Sequence, residues 1–165
     1  MGIKYSRIPF FLSTVLFLVM LSGFVNFRKG TPYKCMIQMT NYSGEGAYVV
    51  ISLMSPEGEY VKTLYVQGED SEWYHDIPEW WKFYGKKRTN IDAITGETIA
   101  GGERSLCVLE LNSEYMDQGY TLRFETAVED QEYHKADLEI VLNQDNLKMK
   151  HEGSGFIRYV RMIAN

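Results

Sequence analysis

The residues whose types and spacing are fit for chemistry lie between Asn90 and Arg104, in the run Asn-Ile-Asp-Ala-Ile-Thr-Gly-Glu-Thr-Ile-Ala-Gly-Gly-Glu-Arg. Two alcohols, Thr95 and Thr98, stand there beside Asp92, Gly96 and Glu97. The run has neither a helical nor a strict strand period, and its three glycines are expected to let the backbone turn sharply. Long irregular connections inside compact domains usually bind, act or move. Gly96 is therefore expected to project Thr98 from a flexible, exposed turn. Alcohols are weak nucleophiles near neutral pH, and no base stands in a pattern beside Thr98. A reaction there would need its activation from outside this run.

Other constellations carry less. His75, His134 and His151 are scattered without metal-ligand spacing. Ser, His and Asp are unpatterned, and no Gly-x-Ser-x-Gly is present. Cys35 and Cys107 form no Cys-x-x-Cys pair. In an oxidising compartment they either join two strands as a disulfide or serve singly as small strand residues.

The elements that must hold the run follow from the flanking patterns. Before it comes an aromatic block containing Trp73, Tyr74, Trp80, Trp81, Phe83 and Tyr84. Asp76 is suited to cap, and Pro78 to open, a short helix over Glu79 to Tyr84. Most of these rings are expected in a core or lid, but adjacent Trp80 and Trp81 cannot point the same way on a helix, so one should lie near the surface. The strand candidates are Cys35 to Met39, Ala47 to Met54, Tyr60 to Val66, Ser105 to Leu111, Tyr120 to Val128, Tyr133 to Leu142 and Phe156 to Ile163. Ser55-Pro56-Glu57-Gly58 is turn chemistry joining the second and third. Along Ala47 to Met54, Tyr48, Val50 and Ser52 face one way and Val49, Ile51 and Leu53 the other. Cys107, Leu109 and Leu111 form the apolar side of their strand. Short strands with regular turn signals predict an all-β fold, an immunoglobulin-like antiparallel β-sandwich with one short helix.

At the amino end, Lys4 and Arg7 precede an uncharged apolar run from Ile8 to Val25, which Arg28-Lys29 follows. Residues 1–29 read as an apolar export helix, either a cleaved signal peptide or an uncleaved membrane anchor, so membrane association through residues 8–25 stays open. Either way residues 30–165, one domain by length, lie outside the cytoplasm, in the periplasm or anchored facing it. That domain carries all 22 acidic residues against 13 basic ones, a formal charge of −9. Nucleic acid is a poor partner for such a surface, because phosphates need clustered Lys and Arg.

Asp92-Ala93-Ile94-Thr95-Gly96-Glu97-Thr98 resembles the Asp-x-x-(Ser/Thr)-Gly-Ala-(Thr/Ser) signature on which ApbE-type flavin transferases attach FMN through a phosphoester to the last hydroxyl. Thr98 holds that position, and Glu97 stands where the signature has Ala. A wider likeness runs through Tyr48-Val49-Val50-Ile51, Pro56 to Leu64, Trp80-Trp81, the Asp92 to Thr98 run, and Gly119 to Ala127. In order and spacing these blocks are similar to the domain of unknown function 2271 family, exported β-rich proteins often found with PepSY-type membrane proteins and flavin transferases. The resemblance implies covalent FMN on Thr98 within a loop formed by Asp92, Thr95 and Gly96, with Trp80 and Trp81 stacking over the isoalloxazine. It implies an electron carrier more than an enzyme with its own substrate, served by a flavin transferase and exchanging electrons with a PepSY-type or other membrane redox protein. A tether keeps such a cofactor from dilution outside the cytoplasm, and the protein sets its potential. The competing expectation is an exported sandwich that carries no flavin and serves as a binding or interaction module.

Overall fold

The computed structural model describes residues 30–87 and 94–164. The apolar segment of residues 1–29 lies outside the described residues, as does Asp92. Among the described residues no helix is long and apolar enough to cross a membrane.

Among the described residues nine strands make two sheets: β1 Thr31–Met39, β2 Tyr48–Met54, β3 Tyr60–Gln67, β4 Thr95–Gly96, β5 Arg104–Leu111, β6 Thr121–Ala127, β7 His134–Val141, β8 Lys150–His151 and β9 Ile157–Ala164. One sheet has the order β5-β1-β9-β8, the other β4-β3-β2-β6-β7. The protein is an all-β sandwich. Its seven expected strands are present within a residue or a few at their ends, and β4 and β8 are additions too short to show a period. The expectation of a wholly antiparallel arrangement is corrected at one edge, where β4 runs parallel to β3.

Alternation explains the layers. Val49, Ile51 and Leu53 of β2 join Leu122 and Phe124 of β6, Cys35 and Ile37 of β1 and Leu109 and Leu111 of β5 in the core between the sheets. The other face of β2 and β6, through Val50 and Ala127, is covered by Tyr74, Ile77 and Trp80. These come from a 3-10 helix, Ser71–Asp76, and from the one α-helix among the described residues, α1 Pro78–Lys87. The sandwich thus has a third, aromatic layer on one outer face. Leu106 and Val108, on the outward side of β5, are exposed.

The β2–β3 turn is built as its residue types dictate. Gly58 takes a left-handed φ of +81°, its N–H donates to the Ser55 carbonyl at 2.9 Å, and the Ser55 hydroxyl accepts from the Glu57 and Glu59 amides. On the outer face, Glu125 is fully buried and accepts from the Tyr60 and Tyr133 hydroxyls. Burial, the dominant influence, pushes its carboxyl above the usual carboxylate range despite those donors and Arg123. Asp137 is equally buried but collects the Thr126 hydroxyl and the Ser154, Gly155 and Ile157 amides, which tie β7 to the turn before β9.

Candidate functional site

The segment after β4 is a strap drawn across one end of the five-stranded sheet. Thr95 and Gly96 pair with Val66 and Gln67, and the Gly68 amide donates to the Gly96 carbonyl at 2.5 Å. The Gln67 side-chain amide donates to the Glu97 carbonyl while its oxygen accepts from the Ser105 hydroxyl at 2.8 Å. Ile99 forms a bridge with Ala47, two amides and two carbonyls exchanged at 2.8 and 3.2 Å, and the Tyr42 hydroxyl donates to the Ile99 carbonyl. Glu97 and Thr98 are thus suspended between two fixed points. The expected flexible turn is, over residues 95–99, an anchored span.

The glycines have different duties from those their types suggested. Gly96 is not in the left-handed region. A Cβ there would run into the Tyr65 hydroxyl, so the residue is glycine for close approach, not for a turn. Gly102, with φ +78°, does turn the chain, and its amide donates to the Thr40 carbonyl at 2.7 Å.

Thr98 is exposed, and among the described residues no hydrogen bond engages its hydroxyl. Its side chain lies over Gly46, where a Cβ would come within 2.7 Å of the Thr98 Cβ and closer still to the hydroxyl. Beside it opens a depression of about 160 Å³ walled by Tyr48, Trp73 and Ala127. Three carboxylates, Glu45, Asp76 and Glu129, stand around it. A second depression of about 340 Å³ shares Trp73, Asp76, Ala127 and Glu129 and runs on to Gln131. The two make one groove leading away from Thr98.

Local chemistry fixes the two aromatic walls. Asp70 caps the 3-10 helix by accepting from the Glu72 amide at 2.9 Å, which sets Trp73 in the next turn. His75 stacks on Trp73 at 6.2 Å between centroids, and its Nε2 lies 3.2 Å from an Asp76 carboxylate oxygen. Tyr48 begins β2 on its outer face and donates its hydroxyl to the Asp70 carbonyl at 3.2 Å. Its ring lies where a Cβ of Gly68 would be, and meets Tyr74 edge to face at 6.3 Å. Burial, followed by Asp70, Asp76 and Glu129, raises the Tyr48 phenol above its ordinary value, so the groove is an electronegative place.

Of the residues expected from sequence, Thr95, Gly96 and Thr98 come together on the strap. Trp80 and Trp81 do not reach it. Trp80 is wholly buried, donates its indole N–H to the Thr63 hydroxyl at 2.8 Å and stacks on Tyr84 at 4.9 Å and 9°. Trp81 is half-buried against Tyr74 and Tyr84. Neither lines the groove, whose aromatic walls are Tyr48 and Trp73. Tyr48 was hidden because strand alternation alone reads it as one more outward residue, and only Gly46 and Gly68 hinted that side chains crowd that strand end. Among the described residues no group of His, Cys, Asp or Glu is arranged to hold a metal ion.

The model of a family described as predicted periplasmic protein (DUF2271) matches residues 30–159. The chain belongs to the DUF2271 family. The match covers β1 to β8, the start of β9 and the whole strap, and the family's description places the domain outside the cytoplasm. No curated protein and no solved structure is significantly similar to this DUF2271 member.

Proposed function

We propose that this DUF2271 protein is an extracytoplasmic electron carrier whose Thr98 hydroxyl accepts FMN as a phosphoester from an ApbE-type flavin transferase. The observation that carries the reading is the setting of Thr98: an exposed hydroxyl, held between two backbone anchors, at the head of a groove with aromatic walls. FMN so bound supplies one- or two-electron transfer. This chain's residues do the rest. Gln67 and Ala47 hold the span so that the alcohol stays presented, and Gly46 leaves room for it. Trp73 and Tyr48 offer ring faces, worth roughly 0.5–1.5 kcal/mol per stacked pair. The open groove is smaller at Thr98 than the roughly 300 Å³ at which ligand pockets begin to enclose, so a flavin there stays accessible to a protein partner. The carboxylates around it oppose a phosphate, which favours a pose with the ester outward on the strap and the ring inward. A membrane redox protein, of PepSY type, is the proposed partner.

The immunoglobulin-like reading of the sandwich is supported by strand order. β7-β6-β2-β3-β4 follows the G-F-C-C′-C″ order of a variable-type sheet, and β5-β1 the E-B pair, with β9 from the far end of the chain beside β1 in the place of strand A. The parallel β4 departs from that pattern.

One feature favours the interaction-module reading: Glu45, Asp76 and Glu129 would also grip a cationic segment of a partner. Co-expression of the full chain with a flavin transferase separates the two. The carrier reading expects one FMN per chain by intact mass and flavin fluorescence that survives denaturation. A colourless protein when transferase and FAD are abundant leaves the interaction module.

A further inference from the structure

The two cysteines of the chain, widely separated in sequence, are cross-strand neighbours. β1 and β5 pair antiparallel with Cys35 directly opposite Cys107. Both side chains enter the core between the sheets, Cys35 fully buried and Cys107 nearly so. Directly opposed residues of antiparallel strands have Cα atoms about 4.5–5.5 Å apart, inside the roughly 4.4–6.8 Å that a disulfide spans. The thiols already touch: the hydrogen bond with Cys107, and then burial, push the Cys35 thiol well above its ordinary value. A buried thiol of that kind is unreactive once the sheet has closed. The family is periplasmic, and in that compartment disulfides form and persist.

We propose that Cys35 and Cys107 are joined as a cross-strand disulfide in the exported protein. The bond forms by exchange with a disulfide-bearing oxidant of the export compartment, before β1 and β5 close on each other. One cysteine thiolate attacks the oxidant's disulfide, making a mixed disulfide and expelling one oxidant thiolate. The second cysteine thiolate then attacks the mixed disulfide at the sulfur of the first, expelling the other oxidant thiolate. The chain loses two electrons and two thiol protons, and the oxidant becomes a dithiol.

The position of this link gives it a consequence for the strap. Tyr65 packs against the core cluster that contains Cys107, and its hydroxyl lies under Gly96. Ser105, one turn of the pleat earlier on β5, holds Gln67, which in turn holds Glu97. Fixing β5 to β1 fixes the layer on which the Thr98 span rests.

The test uses the full chain exported with its own leader and recovered from the oxidising compartment, unfolded in the presence of an alkylating reagent. With two cysteines in the chain, intact mass is expected to show no alkyl groups before reduction and two after it, on a monomer in a non-reducing gel. Two alkyl groups without reductant, or a disulfide-linked dimer, overturn the proposal. As a second measurement, reductant is expected to lower the melting temperature by roughly 10 °C, and to leave a Cys35→Ala/Cys107→Ala double variant unmoved. An unreduced wild type that ignores reductant also overturns it. Neither readout depends on whether Thr98 carries a flavin.

Discussion

Around Trp80 the aromatic side chains close on one another, whereas around Trp73, a few residues earlier on the same sheet face, they stop short and leave a groove. Trp80 has Tyr84 stacked on it, Tyr74 edge-on at 5.1 Å and its N–H on Thr63. Trp73 has His75 on one side and the groove on the other. Burial satisfies the first ring completely and leaves the second with a free face. Identical residue types therefore serve packing or presentation according to what stands across from them, and here the strap with Thr98 stands across from Trp73.

Substitutions can break that contrast, and the largest effect belongs to the closed region. Trp80→Ala should cost about 3–5 kcal/mol, read from urea denaturation. Trp73→Ala should cost under about 1 kcal/mol while altering the fluorescence of a flavin held at Thr98. Equal losses of stability would erase the distinction between the two rings. Next in size, Gly46→Ala drives a methyl group into the Thr98 side chain and should destabilise by about 1–3 kcal/mol. It should also reduce flavin loading, measured as the ratio of visible to ultraviolet absorbance.

A pH dependence sharpens the account of the closed region. Glu125 has a carboxyl raised by burial beneath Tyr60 and Tyr133. For an acid whose folded value lies above its unfolded value, the folded state binds the proton more tightly. Its contribution to stability is complete below the unfolded value of about 4.3 and is lost as pH rises through the raised folded value. The difference in stability between wild type and Glu125→Gln, followed by denaturation from mild acid to neutral pH, should therefore move in favour of Gln as pH rises. A flat difference would contradict the burial of that carboxylate. The smallest effect is expected at the open region. Glu97→Gln removes an exposed charge next to the acceptor and should raise the potential of an attached flavin by on the order of 20 mV. Spectroelectrochemistry reads that shift, and an unchanged potential would remove Glu97 from the account.

Much of the sandwich was legible because period-two alternation is a local property. The alternate faces of β2 and the apolar side of β5 follow directly from side-chain type. The turn at Ser55 to Gly58 was legible for the same reason. The strap was not. Thr95 and Gly96 form a strand only because Val66 and Gln67 lie alongside, and Gly96 is glycine because Tyr65, thirty-one positions earlier, needs the space. Such reasons are tertiary and leave no local signature. The placement of the rings was not legible either: adjacency of Trp80 and Trp81 within a helix says that two rings diverge, not which ring of the block meets the strap. Thr98 is singled out only by the resemblance of its run to a signature, while its exposure and its neighbours are supplied by the fold. The opposition of Cys35 to Cys107 depends on register between strands that sequence order does not pair.

The most direct test of the central claim is peptide mapping of the mature protein after co-expression with a flavin transferase. The account predicts the mass of one esterified FMN on the peptide containing Thr98, localised by fragmentation to Thr98 and not to half-buried Thr95, and its complete loss in Thr98→Val with melting temperature unchanged. An unmodified Thr98 in transferase-replete, FAD-replete cells, or a flavin retained in Thr98→Val, would contradict it.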